Sequence, residues 1–72
     1  MNIYTIKAFG NYGGGMAVVA ADDEQEAIRA CRVIPNKTWH VRYDEPDNVE
    51  CIVAGAPADT LRGVLSHFET GE

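Results

Sequence analysis

The sequence predicts a small α+β domain of order ββαββα, in which a four-stranded antiparallel sheet carries two helices packed on one face. Three observations predict it. A glycine-rich run, Gly10-Asn-Tyr-Gly-Gly-Gly15, separates two extended-type segments. A capped amphipathic helix follows, and the second half repeats the pattern with an alternating segment, a turn, a β-rich run and an apolar stripe at helical spacing.

Ile3–Phe9 and Met16–Ala21 are the first two strands. Four glycines and an asparagine in six positions permit positive φ angles at which a side chain would clash, so the run reads as a hairpin tip bearing Tyr12. The first helix spans 22–34. Asp22 serves as N-cap with Gln25 three residues on, while Asp23, Glu24 and Glu26 at its start and Arg29 and Arg32 near its end follow the helix dipole. Ala27, Cys31 and Ile34, with Ile28 alongside, supply its apolar stripe, and Pro35 ends it.

Thr38–Tyr43 alternates, with Trp39, Val41 and Tyr43 on one face, as a half-buried strand does. Asp44-Glu-Pro-Asp-Asn48 is a turn by composition, and Val49–Ala54 returns as the partner strand, so that 38–54 forms a second hairpin. Pro57 stands at the first position of a final helix whose core stripe is Leu61, Val64, Leu65 and Phe68, with fraying from Glu69 to Glu72. The expected core is Ile6, Val19, Ile28, Trp39, Val41, Leu61, Val64 and Leu65. All 72 residues belong to one domain, 1–72, close to the smallest size at which a core alone sustains a fold, which favours homodimerisation.

Composition limits the function classes. No apolar run approaches the roughly 20 residues of a membrane span, and the first residues lack the basic start and apolar segment of a signal peptide, so a cytoplasmic location is expected. Cys31 and Cys51 are expected to be reduced and buried. Eleven acidic against six basic residues leave a net charge of −5. Nucleic-acid backbones need clustered lysine and arginine, and none of the six has a basic neighbour, so direct nucleic-acid binding is not expected and a basic protein partner is. Acidity of this size also serves solubility alone.

Chemistry-bearing constellations are sparse. The glycine run lacks a following Lys-Ser or Lys-Thr and leads into a strand, which argues against a phosphate cradle; a small-ligand or nucleotide site there is the third-ranked reading. Cys31, His40, Cys51 and His67 contain no local ligand pair of the kind zinc sites use, and no metal or cofactor is expected. Cys31 with His40 is the sole nucleophile and base pair, and its late helical position opposes thiolate formation, so the chain is read as non-enzymatic. The remaining features are two acidic clusters: Asp22, Asp23, Glu24 and Glu26, and Asp44, Glu45, Asp47 and Glu50. Tyr12 and Tyr43 are candidate anchors beside them.

The Gly-Gly-Gly hairpin, the Val-Val-Ala-Ala-Asp-Asp-Glu-Gln-Glu-Ala segment and the small acidic plan resemble the very small proteins of bacteriophages and mobile elements, anti-CRISPR proteins among them. The resemblance implies an inhibitor that occludes the basic nucleic-acid channel of a host defence nucleoprotein, such as a CRISPR effector, with acidic surface. The alternative is a generic interaction or dimerisation module using the open face of its sheet.

Overall fold

The computed structural model describes residues 1–10, 13–34, 41–57 and 59–71. Strands β1 (Asn2–Phe9) and β2 (Gly13–Ala21) form the expected antiparallel hairpin, in register from Asn2 opposite Ala21 to Phe9 opposite Gly14. The Gly10 N–H donates to the Gly13 carbonyl at 2.7 Å. The two tip residues, Asn11 and Tyr12, lie outside the described residues. Strand β3 (Asn48–Val53) pairs antiparallel with β1, and β4 (Gly63–Gly71) pairs antiparallel with β2, giving the order β3-β1-β2-β4. The four-stranded antiparallel sheet is thus as predicted, and the element order is ββαββ.

One face of the sheet carries helix α1 (Glu24–Ala30) and a 3₁₀ turn over Cys31–Val33. Strand alternation sends Tyr4, Ile6 and Ala8 of β1 and Ala17, Val19 and Ala21 of β2 to this side, where they are buried with Ala27, Cys31 and Ile34. Four alanines on this side, Ala8, Ala17, Ala21 and Ala27, let the helix lie close, and the stripe read from the sequence is the buried one. The cap is displaced by one residue from its predicted place. Asp23, in extended geometry, accepts from the Glu26 N–H at 2.8 Å, and the Glu26 carboxylate reaches back to the Asp22 N–H at 3.4 Å. The box therefore runs Asp23 to Glu26, because Asp22 is still held by the end of β2.

The second helix is not found among the described residues; its later part, from Gly63, forms β4. Two local features oppose a helix there. Gly63 has φ +105°, outside any right-handed helix, and Val64, Phe68 and Thr70 favour extended backbone. The decisive term is non-local: without β4 the outer edge of β2 would leave a row of backbone groups unpaired. The helical stripe consequently does not build a core. Leu61 is 79% exposed and Leu65 42%, while Val64 packs half-buried against the core, as Ile28 does. Ile6, Val19 and Val41 are buried as expected, and Trp39 lies outside the described residues.

The predicted strand 38–43 is also not found over its described part. Val41 and Arg42 are irregular, and Tyr43 and Asp44 form a turn; residues 38–40 lie outside the described set. The backbone here continues the edge of β1 in place of a hairpin. The Arg42 N–H donates to the Phe9 carbonyl at 3.4 Å, the Asp47 N–H to the Lys7 carbonyl at 2.8 Å, and the Asp47 carboxylate accepts from the Phe9 N–H at 2.9 Å. Only the second strand of the predicted pair, as β3, survives.

The glycine run also acts differently from the expectation. Gly13, Gly14 and Gly15 are strand residues of β2, and the positive φ angles of the described glycines occur at Gly55 (+73°) and Gly63. Gly15 is needed for lack of a side chain, since a Cβ there would run into the Tyr43 hydroxyl and the Glu69 side chain. We expect Gly15→Ala to cost about 1–3 kcal/mol through overpacking. Ile6→Ala should cost about 2–5 kcal/mol and Leu65→Ala well under 1 kcal/mol. Chemical denaturation of the three variants checks the order, and a Leu65 variant as damaged as the Ile6 variant would contradict this placement of the core.

Candidate interaction surfaces

The sheet has a second face, reached by the other strand parity, on which Ala20 and Thr5 are buried and the end around Phe9 and Phe68 is open. Its cross-strand rows follow from the register. Val53, Ile3 and Ala20 form one row; Glu50, Thr5, Val18 and Ser66 the next; Asn48, Lys7, Met16 and Phe68 a third; Phe9, Gly14 and Thr70 a fourth. Phe9 is 67% exposed and Phe68 54%, with Met16 half-buried between them. The Phe9 ring lies over Gly14, where an added Cβ would stand 3.0 Å from its Cδ1. Phe9, Phe68, Met16 and the glycine floor enclose a groove of about 390 Å³ with Lys7 and Thr70 at its rim. The helical stripe that places Phe68 on a helix hides this site; the signal available is the alternation of Ser66, Phe68 and Thr70 after a glycine.

The acidic residues lie elsewhere. In the first cluster, Asp22 and Glu26 both bind the Arg62 guanidinium, Asp22 at 3.0 Å, and Asp22 also lies 4.0 Å from the terminal ammonium of Met1. Asp23 is occupied as the cap, which leaves Glu24 as the exposed member without an ion pair among the described residues. In the second cluster, Asp47 holds the Phe9 N–H, and Glu45 faces Arg42 at 4.0 Å with both side chains mostly exposed. Such a contact is worth little against solvent screening. Asp44 and Glu50 are exposed, and Glu50 is the one carboxylate of β3 on the helix-free face.

The two tyrosines are not a pair of surface anchors. Tyr43 is 6% exposed, and its hydroxyl donates to Glu69 Oε2 at 3.0 Å. Burial, and then the Glu69 carboxylate, hold its phenol well above the ordinary tyrosine range. It belongs to the core because the turn at 43–44 points it inward over Gly15. Tyr12 lies outside the described residues. The Nδ1 of His67 lies 2.9 Å from the same Glu69 oxygen, so a residue expected to fray instead joins β4 to the 41–44 segment.

Both cysteines are free thiols. Cys31 is buried, its thiol directed at the Ala27 carbonyl at 3.5 Å, and burial pushes its pKa up to about 11 from an ordinary 9.0. Cys51 is exposed, contrary to expectation, since edge strand β3 extends past the cover of the helix. Among the described residues no helix is long and apolar enough to cross a membrane. Comparison of the chain with protein-family models, with curated proteins and with solved structures returns no match.

Two outcomes follow for the thiols. At pH 8, a thiol reagent should modify Cys51 rapidly and Cys31 only at the rate of unfolding, giving one fast equivalent in a spectrophotometric assay; two fast equivalents would contradict the burial of Cys31. A thiol pKa raised on folding contributes stability that is intact below pH 9 and is lost as pH rises toward 11, because the unfolded chain gives up its proton first. The urea midpoint should therefore fall over that interval, with Tyr43 adding to the loss above pH 10, and Cys31→Ala should reduce the fall.

Proposed function

We propose that this protein is a non-enzymatic binding protein that engages its partner through the helix-free face of the sheet. The observation that carries this reading is the exposure of Phe9 and Phe68 around a glycine-floored groove at the open end of this face. Large aromatics left in water on a flat, rigid sheet are the usual raw material of an interface core, because they bring contact area at small entropic cost. The groove offers no nucleophile and base together, and Lys7 is its one charged side chain.

A second reading is favoured by a separate observation: Asp44, Glu45 and Glu50 lie exposed and, among the described residues, only the long Arg42 contact opposes them. These residues form the stronger candidate of the two acidic clusters, since Asp22, Asp23 and Glu26 already serve the helix start and Arg62. In this reading the acidic edge meets a basic protein surface, and the bacteriophage resemblance makes a host defence nucleoprotein of the CRISPR type the partner class. Glu50 touches both readings because it stands where the acidic edge meets the open face.

A face kept for binding should be dispensable for folding. The double variant Phe9→Ser/Phe68→Ser should lose no more than about 1 kcal/mol in a thermal or urea melt of dilute protein, the size of lost cross-strand pairs. A loss above about 3 kcal/mol would make the two rings structural and remove the reading. For the acidic edge, Asp44→Lys/Glu45→Lys/Glu50→Lys should abolish inhibition of nucleic-acid binding in a competition assay with a CRISPR effector, and raised salt should slow association of the unaltered protein. Unchanged nucleic-acid binding in the presence of the unaltered protein would remove the nucleoprotein reading.

A further inference from the structure

We infer that the occupant of the helix-free face is a second copy of this chain, so that two sheets pack face to face in a two-fold dimer. The inference rests on the reading of that face as a binding surface and adds the identity of the partner. Charge is the first argument. The chain carries a net −5, yet the described acids sit on α1 and the two residues before it, on the 44–47 turn, in the loop at Asp59 and on the helix side of β4 at Glu69, leaving Glu50 alone on this face. Lys7 is the one cation there, and neither it nor Glu50 has an ion-pair partner among the described residues. The face is therefore the electrically balanced part of an acidic molecule. A basic partner would be drawn to the other sides, whereas a second copy carries its own negative charge on those same sides, turned away from the contact. A copy presents one lysine and one glutamate to the same pair, and a two-fold axis lets each meet its opposite.

Area is the second argument. Strands of about eight residues at ~3.3 Å rise, in four rows ~4.8 Å apart, give a flat face on the order of 500 Å². Ala20 and Thr5 on it are already buried, so the area open to a partner lies around Phe9, Met16 and Phe68, below the ~800 Å² per partner of a standard interface and of the size of a weak, concentration-dependent dimer, and sheets stack face to face at ~10 Å through such side chains.

The sheet edges supply the third argument. Both outer strands carry a register shift, with Ile52 the extra residue in β3 opposite the Ile3/Tyr4 step and Leu65 the extra residue in β4 opposite Val18/Val19. Bulges of this kind twist an edge away from further strand addition. Association by continuing the sheet is thereby disfavoured at both ends, and the face is left.

Sedimentation equilibrium of the full chain over about 1–200 μM tests the inference. The expected mass rises from the 7.9 kDa of one chain to twice that value across the range. Phe68→Glu should remain monomeric throughout with an unchanged circular dichroism spectrum; should that variant fail to fold, Met16→Ser is the replacement and should weaken dimerisation at least tenfold. Lys7→Glu and Glu50→Lys should each weaken it about tenfold, and the double exchange should restore most of the loss. A wild-type chain that is monomeric at every concentration, or a dimer indifferent to all of these substitutions, overturns the proposal. The melt of dilute Phe9→Ser/Phe68→Ser protein separates the two levels: an unharmed fold with a monomeric wild type leaves the face a binding surface for something else, and a badly destabilised fold removes the binding reading as well.

Discussion

Backbone pairing along both edges of the β1–β2 hairpin is the constraint on which the remaining structure depends. The hairpin places eight residue pairs in register but leaves each strand with an unpaired outer edge. Among the described residues there is no second sheet or long helix to cover those edges, and each finds a strand from the second half. β3 takes the edge of β1 and β4 that of β2, and where β3 ends, the Asp47 and Arg42 backbone continues the ladder as far as Phe9. The fate of residues 63–71 is decided by this requirement more than by their own propensities.

Side chains then tie the ends of the sheet to the layer above it. Asn2 is the most connected: its Nδ2 donates to the Tyr4 hydroxyl at 3.1 Å and to the Asp22 carbonyl at 3.4 Å, while its Oδ1 accepts from the Gly55 N–H at 3.0 Å. One amide thus joins the start of β1, the approach to α1 and the turn after β3. At the other end of the hairpin, Tyr43, Glu69 and His67 join the 41–44 segment to β4 above Gly15. Arg62 closes the remaining corner by binding the two acids at the helix start. Asp22, Glu26 and Asp47, which look on sequence like parts of charged patches, are connectors between elements that the short helix cannot hold by itself.

The legible parts of the chain were those governed by local signals. The glycine run between two apolar segments located the hairpin, and the acidic start, the basic end and the Ala27, Cys31, Ile34 stripe located the helix. Asn48–Val53 was readable from its β-rich composition. The illegible parts were those set by distant partners. Leu61, Val64, Leu65 and Phe68 fit a helical period by coincidence of spacing, whereas the strand alternation was blurred by the extra residue Leu65 at the bulge. Tyr43 alternated like a strand residue, and its burial depends on a glycine 28 positions earlier. The favoured acidic cluster was separable from the capping cluster in advance, because capping and dipole already explained the first; the role of Arg62 in occupying it was not. The helix-free face was foreseen as a consequence of two-layer architecture, but not the side chains on it, since Phe68 had been placed on the wrong element.

The strand order has a kinetic consequence. Both outer strands come from the C-terminal half, and each pairs with residues more than 40 positions away in the chain. Closing such loops precedes the contacts that reward closure, which places a fold of this kind among slow folders for its length. During synthesis the hairpin and helix emerge first with both edges of the hairpin bare, and the Gly13–Gly71 pair cannot form until residue 71 has emerged. The small and partly glycine composition of β2 then has a value unrelated to the finished structure. A nascent edge of Gly, Ala and Val offers a weak template for a neighbouring chain, which lowers the risk of mispairing in the interval before β4 arrives, when that edge is bare.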